Sequence, residues 1–240
     1  MESRKRSVES SIDSSKDAKQ PKAAKELHNT LAAYGCRKGE RADMQDTHIL
    51  HSKFDLGEEK DFLSRSSFFA IFDGHAGPRA AVYCQNHMSK TVKNKLSKTI
   101  DFASLTKSLK TTFAESYKAV DDGFLTVAKQ NKPVWKDGTT ATTMIILNNT
   151  VYVANIGDSR AVVARKKEDG SLSPVCLTVD HNPMAHDERM RIQKAGAVVK
   201  DGRINGVIEV SRSIGDVPFK ALGIVCAPDL KKLTLTANDL

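Results

Sequence analysis

The sequence predicts an α+β fold, and three features in chain order support that prediction. A continuous apolar run, Phe68–Phe72, ends at Asp73-Gly74, which is typical of a fully buried strand bounded by a turn. Two segments with helical periodicity follow, and several short strands with turn signals come after them. Strands before and after a helical pair, with no regular alternation, favour antiparallel sheets over a parallel one.

The helical segments each place their apolar residues three or four positions apart. Such spacing makes one apolar face, and two such helices in succession form a natural antiparallel pair. A short strand over 44–50 precedes Phe68–Phe72. The first predicted helix carries Ala81, Cys84, Met88, Val92 and Leu96, and the second carries Phe102, Leu105, Leu109, Phe113, Tyr117, Val120 and Phe124.

A meander of four strands is predicted after the helices, because turn residues separate four short apolar stretches. In this arrangement Asp158 lies at a hairpin tip. A short helix then begins near Asn182 and Pro183 and ends at Gly196. The four predicted strands are Thr140–Leu147, Val151–Asn155, Ala161–Arg165 and Leu172–Val179.

Composition limits the classes of partner. The chain has 240 residues, of which 40% are hydrophobic, enough for one domain with a core. Its net charge is +8, but the basic residues are spread along the chain instead of forming the stripe that nucleic-acid binders show. No apolar run approaches the ~20 residues of a membrane span. We therefore expect a monomer that binds neither nucleic acid nor membrane.

The N-terminal segment and the cysteines indicate the compartment. Residues 1–26 are polar and Ser-rich, which predicts a disordered arm, with the folded domain over 31–240. Arg4-Lys5-Arg6 is compatible with nuclear import, although a solvated tail is favoured. The four cysteines lack zinc-site spacing. Free thiols and a polar N-terminus predict a cytoplasmic protein, with the nucleus as a second compartment.

The first candidate site follows the buried strand. Asp73 can offer oxygen ligands to a hard cation, Gly74 allows close backbone approach, and His75 can donate a proton near neutral pH. The alternative, favoured on composition alone, is a strand-to-helix turn in which Asp73 caps the helix.

A second acidic element contains Arg41 and Asp46. Carboxylates from separate strands suit a site for two Mg²⁺ or Mn²⁺ ions, so Asp46 beside Asp73 would form one, and Arg41 could bind phosphate through its planar fork. A surface charge cluster is the favoured alternative for this element in isolation. Two further elements also have structural alternatives when each is taken alone. Asp137–Ala141 would be a loop entering a strand, and Asp158 would be a turn residue.

The motifs are informative as an ordered set, and this set resembles the protein phosphatase 2C family of metal-dependent serine/threonine phosphatases. The resemblance covers about residue 31 to the end. The motifs are Arg41-x-x-Met44-x-Asp46, Asp73-Gly74-His75-Ala76-Gly77, Gly138-Thr139-Thr140-Ala141, Asn155-x-Gly157-Asp158-Ser159-Arg160, Asp180-His181-Asn182-Pro183, Glu188-Arg189 with Gly196, and Val210-Ser211-Arg212-Ser213-Ile214-Gly215-Asp216.

The resemblance implies a fold and a set of roles. The family fold packs two antiparallel β-sheets with helices on their outer faces and holds two Mg²⁺ or Mn²⁺ ions. Asp73 and the Gly74 carbonyl would bind these ions and Asp46 would hold their water, while Asp158 would bind a third, looser ion. Arg41 would bind the substrate phosphate. His75 would be the general acid, and phosphorylated proteins would be the substrates, in a signalling complex that contains a kinase.

Two departures from the family pattern qualify that expectation. Gln45 stands where many members have a metal-binding Glu, and Leu240 lies before the family's remaining metal-binding Asp residues. The chain is therefore expected to be incomplete at its C-terminus and to be inactive, or nearly so, on its own. The alternative to a phosphatase is a catalytically impaired form of the same fold that acts as a binding module.

Overall fold

The computed structural model describes residues 30–57 and 60–240, so the predicted arm over 1–26 lies outside the described residues. The helices are α1 Arg79–Leu96, α2 Phe102–Gln130 and α3 His186–Lys194, with a 3₁₀ helix over Val217–Leu222. The strands are β1 Thr47–His51, β2 Ser66–Phe72, β3 Gly74–His75, β4 Gly138–Thr139, β5 Ala141–Leu147, β6 Thr150–Ile156, β7 Val162–Lys166, β8 Leu172–Cys176, β9 Val199–Lys200, β10 Arg203–Ile204, β11 Ile214–Gly215 and β12 Asp229–Thr234.

The main sheet has five antiparallel strands in the order β1-β2-β5-β6-β12. Helices α1 and α2 pack against each other and enclose the principal core with this sheet. Phe68 and Phe72 of β2 and Phe113 of α2 are fully buried there. The buried Tyr117 hydroxyl lies 2.9 Å from the Ala154 carbonyl oxygen and joins α2 to the sheet without leaving a polar atom unpaired.

A second antiparallel pair, β7 and β8, forms its own sheet next to the main one. Val163 of β7 and Leu177, just after β8, share a buried cluster with Val151 and Val153 of β6. The predicted α+β fold with antiparallel sheets is therefore confirmed.

The predicted four-stranded meander is wrong. β5 and β6 form one hairpin and β7 and β8 another, and β12 pairs with β6 along the edge where β7 was expected. The chain leaves the first sheet at Gly157, whose φ of 89° suits glycine. Asn155 holds this exit through its side-chain amide, which donates to the carbonyl oxygens of Gly157 and Val179. Asp158 is therefore at a crossing between sheets and not at a hairpin tip.

The two long helices begin in different ways. Asp101 caps α2 locally, since its carboxylate accepts from the Ser104 amide at 2.8 Å. No local side chain caps α1. The buried Asp137 carboxylate, far along the chain, accepts instead from the Arg79 backbone amide at 3.0 Å. The proposed cap by Asp73 is thus replaced by a long-range one, which fixes the start of α1 relative to β4.

The short third helix begins at His186, three residues later than the predicted start at Pro183, while Gly196 at φ 84° follows its end as expected. Asn182 accepts from the amides of Met184 and Ala185 and forms the turn before the helix. A small core around Ile192, Ile204 and Ile224 supports this region. Within the part of the chain described, no helix has the length and apolar character needed to cross a membrane.

Candidate active site

A cleft of about 560 Å³ opens where β2 ends and the short strands meet. Five of the six predicted site residues line it: Arg41, Asp73, Gly74, His75 and Asp158. The sixth, Asp46, is close enough to Asp73 to hydrogen-bond with it. The fold thus brings together residues from distant parts of the sequence that were predicted to act together.

The backbone of Asp73 is held by two threonines from the Gly138–Ala141 motif. The Asp73 amide donates to Thr140 Oγ1 at 3.1 Å, and the Asp73 carbonyl oxygen accepts from the Thr140 amide at 3.0 Å. Thr139 Oγ1 donates to the same carbonyl oxygen at 3.0 Å. Thr140 Oγ1 also lies 2.8 Å from Ser159 Oγ, next to Asp158. The motif therefore ties Asp73 to the crossing that carries Asp158.

The carboxylates of Asp46, Asp73 and Asp158 form a region of concentrated negative charge. Partial loss of solvent raises the pKa of Asp73 to about 6, and the charges of Asp46 and Asp158 and a hydrogen bond with Asp46 act in the same direction. Like charges this close disfavour ionisation. A cation placed among them would offset the repulsion.

Close backbone packing explains the need for glycine at position 74. A Cβ atom there would lie 2.3 Å from the Gln45 carbonyl oxygen. The side chain of Gln45 turns toward the start of α1, where its Oε1 accepts from the Gly77 amide at 3.3 Å. Gln45 therefore has a structural contact of its own at the position where the resemblance implies a metal-binding Glu.

His75 is paired with a residue to which the sequence alone assigned no role. Its Nε2 lies 2.7 Å from Asp216 Oδ2, and its side chain is 31% exposed while that of Asp216 is 2% exposed. Burial alone would lower the pKa of His75, but the hydrogen bond and charge of Asp216, with Asp73 and Asp158, raise it above its ordinary value. The imidazole is thus favoured in a form that can give up a proton.

A three-stranded antiparallel sheet, in the order β11-β4-β3, creates this pairing. Gly138 of β4 lies opposite His75 on one side and Gly215 on the other. A Cβ atom on Gly138 would be 2.2 Å from Asp216 Oδ2 and 2.3 Å from His75 Nε2. Only glycine leaves room for the two side chains to meet across this strand.

Sequence reasoning missed Asp216 because 141 positions separate it from His75. Strands of two residues have no detectable periodicity, so β3, β4 and β11 could not be predicted. The available signal was the motif ending in Gly215-Asp216, which was recognised but given no chemical role. The predicted alternative for Asp137–Ala141, a loop that enters a strand, is correct for the entry into β5 at Ala141 but misses strand β4 at Gly138–Thr139 and the contacts with Asp73.

The donor set suits a hard divalent cation that keeps part of its water shell. The side-chain donors are carboxylate oxygens, and the backbone at Gly74 is free of a side chain that would block approach. Among residues 30–57 and 60–240, no group of three or more His, Cys, Asp and Glu side chains is arranged to hold a metal ion. Asp46 and Asp73 would therefore hold such an ion together with backbone oxygen and water.

Comparison with known proteins points to one family. The family model for protein phosphatase 2C matches residues 19–240. A human protein named integrin-linked kinase-associated serine/threonine phosphatase 2C is 43% identical over 208 residues, covering 85% of this chain and 52% of the human protein. Probable protein phosphatase 2C 67 of Oryza sativa subsp. japonica is 36% identical over 215 residues, covering 84% of this chain and 56% of the rice protein. This chain spans about half the length of these curated relatives.

Solved structures agree on the fold. A serine-threonine phosphatase 2C from Toxoplasma gondii superposes with a TM-score of 0.69 at 20% identity, covering 83% of this chain and 72% of that one. A sex determining protein from C. elegans gives a TM-score of 0.68 at 26% identity, covering 84% of this chain and 47% of that chain. Segments 37–41 and 44–46 also indicated a narrower likeness to the integrin-linked kinase-associated phosphatase, which the human match confirms.

Proposed function

This chain belongs to the protein phosphatase 2C family, and we propose that it is a metal-dependent protein serine/threonine phosphatase. The observation that carries the proposal is the Asp73 carboxylate, with Asp46 beside it, in one cleft with the His75–Asp216 pair. One pair provides oxygen ligands for cations, and the other provides a proton donor. Hydrolysis of an alkyl phosphate needs both functions.

The metal side of the site is formed by Asp46, Asp73 and the Gly74 carbonyl. Mg²⁺ or Mn²⁺ held by these residues would make water a better nucleophile and would stabilise negative charge on the phosphoryl group. Asp158, which lines the same cleft, would hold a further, looser cation. Thr139 and Thr140 keep the Asp73 backbone in place, so the ligand position does not depend on side-chain packing alone.

The leaving-group side is formed by His75. As the bond between phosphorus and the serine or threonine oxygen breaks, its electron pair stays with that oxygen. The oxygen is then a strongly basic alkoxide, and His75 supplies its proton. The nearby carboxylate of Asp216 raises the pKa of His75, which favours the protonated form required for this step.

The substrate phosphate would be oriented by Arg41. Arg41 lines the cleft and forms no ion pair with the acidic residues among 30–57 and 60–240, so its guanidinium can donate two parallel hydrogen bonds to phosphate oxygens. Lys136 lines the same cleft and adds positive charge. Together they balance the carboxylates on the metal side and favour a dianionic substrate.

The partners and compartment follow as further parts of this proposal. A phosphorylated protein is the substrate, and the name of the human relative supports association with a signalling complex that contains a kinase. We place the protein in the cytoplasm, with the nucleus as a second compartment, and regard it as a monomer without nucleic-acid or membrane partners. The free thiols of Cys36, Cys84, Cys176 and Cys226 support a reducing compartment.

The test is phosphate release from a phosphothreonine peptide by the purified chain. The assay is run with Mn²⁺, with Mg²⁺ and with EDTA, and Asp73→Asn is measured in parallel. The phosphatase proposal predicts release that requires a divalent ion and falls to background in Asp73→Asn, whereas the inactivity expected from the sequence predicts background release in every sample. Mn²⁺ binding, measured by calorimetry, should weaken in the same variant.

The same assay separates catalysis from the impaired-form alternative. Metal-dependent release above the Asp73→Asn background supports a phosphatase and contradicts the expectation that the chain alone is inactive. Release equal to that background would overturn catalysis by this chain and leave the binding-module alternative. Asp239→Asn serves as the matched control, because Asp239 is a buried carboxylate paired with Arg165 and does not line the cleft.

A further inference from the structure

We propose that Asp216 is the positioning residue for His75: it holds the imidazole by Nε2 and leaves Nδ1 as the nitrogen that serves the substrate. This inference rests on the proposed function, in which His75 protonates the leaving oxygen. It adds a residue and an atom that the motif comparison did not assign. It also makes a distinction between the two ring nitrogens that can be measured.

The contact itself fixes which atom donates. An ionised carboxylate only accepts hydrogen bonds, so His75 Nε2 must carry the proton in its 2.7 Å contact with Asp216 Oδ2. Ser213 Oγ donates to the same oxygen at 2.5 Å. With Nε2 engaged, the ring has one nitrogen left for proton transfer. The partly exposed His75 ring can present that atom to the cleft that it lines.

The backbone around the pair is held in unusual conformations. Asp216 has φ 53° and Ala76, which follows His75, has φ 57°. Positive φ is uncommon for residues other than glycine, and such conformations persist where surrounding contacts enforce them. The Asp216 amide donates to the Asp137 carbonyl oxygen at 2.9 Å, which is one of those contacts.

A buried ion pair supports the turn that carries Asp216. Asp121 of α2 is 4% exposed, and its Oδ1 accepts from the Gly215 amide at 2.8 Å. Its Oδ2 lies 2.8 Å from Lys220 Nζ, and Lys220 also donates to the Ser213 carbonyl oxygen at 2.9 Å. The turn is therefore anchored to a long helix on one side and to β4 on the other. This rigidity gives Asp216 a fixed position from which to orient the ring.

The proton balance of the step is simple. The imidazolium carries protons on both nitrogens before reaction. Nδ1–H transfers its proton to the threonine oxygen as that oxygen takes the electron pair of the breaking P–O bond. The product is a neutral imidazole that still donates Nε2–H to Asp216, so the positioning contact persists through the cycle.

The kinetic test is Asp216→Asn in the full chain, assayed on two substrates. We expect kcat for a phosphothreonine peptide to fall about 10- to 100-fold, as for other partners that orient a reacting group. We expect kcat for p-nitrophenyl phosphate to fall less than about threefold, because an aryl oxide leaves without protonation. Asp239→Asn should leave the ratio of the two rates unchanged.

A double mutant separates positioning from general damage to the fold. In a His75→Gln background, adding Asp216→Asn should lower kcat for the phosphothreonine peptide by less than about a further twofold. The effects of substituting residues that act as a unit are not additive. Equal losses on both substrates, or a full loss repeated in the His75→Gln background, would show that Asp216 has only a structural role and would overturn the proposal.

An NMR measurement decides the question without activity. Long-range ¹H–¹⁵N spectra, with the His75 ring assigned by its absence in His75→Gln, report which nitrogen is protonated in the neutral ring. We expect the Nε2–H form in the wild type. In Asp216→Asn the new amide can either accept from Nε2 or donate to it, so we expect a mixture of the Nε2–H and Nδ1–H forms. A neutral wild-type ring protonated on Nδ1 would overturn positioning, whereas an Nε2–H ring in a chain that hydrolyses neither substrate would refute the phosphatase function alone.

Discussion

Two carboxylates in this protein, Asp73 and Glu188, have opposite surroundings. Asp73 faces the like charges of Asp46 and Asp158, and its pKa is raised to about 6. Glu188 is 4% exposed and enclosed by cations. Arg191 and Arg212 each approach one of its oxygens to 2.7 Å, and Ser211 Oγ also donates to it.

The pKa values move apart accordingly. Burial on its own would raise the pKa of Glu188, but the hydrogen bonds from Arg191, Arg212 and Ser211 hold it well below the ordinary value. A carboxylate with all its partners stabilises the fold and has no capacity left for a ligand. One surrounded by its own charge is poised to take a cation. This difference distinguishes a ligand-binding site from a structural group of ion pairs. Glu188 with Arg191 and Arg212 forms such a group, which we call the clasp.

The largest expected effect tests the first half of this comparison. Asp73→Asn should lower metal-dependent turnover by at least about 100-fold, because it removes a charged ligand from the pair with Asp46. The free energy of unfolding should stay within about 0.5 kcal/mol of wild type or rise, since the substitution also removes like-charge repulsion. Phosphate release and urea unfolding measure the two effects. A large loss of stability would place Asp73 with Glu188 among the structural carboxylates.

The next effect concerns the proton donor beside this cluster. His75→Gln should slow phosphothreonine peptide hydrolysis about 100-fold and p-nitrophenyl phosphate hydrolysis far less, because only the alkyl leaving group needs a proton. Parallel kcat measurements on the two substrates provide the check. An equal fold-decrease in kcat for the two substrates would mean that the His75 ring supports the site without donating a proton.

The sequence predicted the elements whose signals are local. The apolar run of Phe68–Phe72 predicted β2, and helical spacing predicted α1 and α2, although α2 continues past Phe124 to Gln130. Motif order also placed Asp73 and His75 at one site. The edge strand β12 was not predicted, because Leu230 and Leu233 are its only large apolar residues and the rest is polar.

Long-range contacts account for what the sequence could not supply. The cap of α1 comes from Asp137, and the partner of His75 comes from Asp216; in both cases the residues lie far apart in the chain. The clasp at Glu188 was visible only as a Glu-Arg dipeptide in a motif. Its second arginine, Arg212, lies 24 positions away and meets it only after folding.

A stability measurement tests the second half of the comparison. Glu188→Gln should lower the free energy of unfolding by about 2–4 kcal/mol, because it removes the charge of the buried carboxylate that the half-buried guanidinium groups of Arg191 and Arg212 share, and only Arg212 has a second carboxylate, Asp229. Urea unfolding at neutral pH gives the value. Asp180→Asn, which breaks the more exposed pair with Arg160, is the control and should cost less than about 1 kcal/mol. Equal losses of unfolding free energy in the two variants would mean that the ion pairs of Glu188 stabilise the fold no more than an exposed pair does.

The smallest effect is the pH dependence of that clasp, and its sign follows from the direction of the pKa shift. The pKa of Glu188 is depressed in the folded protein relative to its ordinary value of 4.5. Its stabilising contribution is therefore complete above about pH 5 and is lost as pH falls below that value. In the wild type this group adds a slope of up to about 1.4 kcal/mol per pH unit between pH 4 and pH 3.

Glu188→Gln should lack this component, so the stability difference between wild type and variant should narrow as the solution is acidified. Other carboxylates titrate in the same range, including Asp229 behind Arg212, and the difference between the two proteins cancels most of their contribution. Urea unfolding of both proteins at pH 7, 5 and 3.5 measures the difference in their free energies of unfolding. A constant difference across these three values would mean that Glu188 is not held ionised by its arginines, and the contrast with Asp73 would then rest on burial instead of charge.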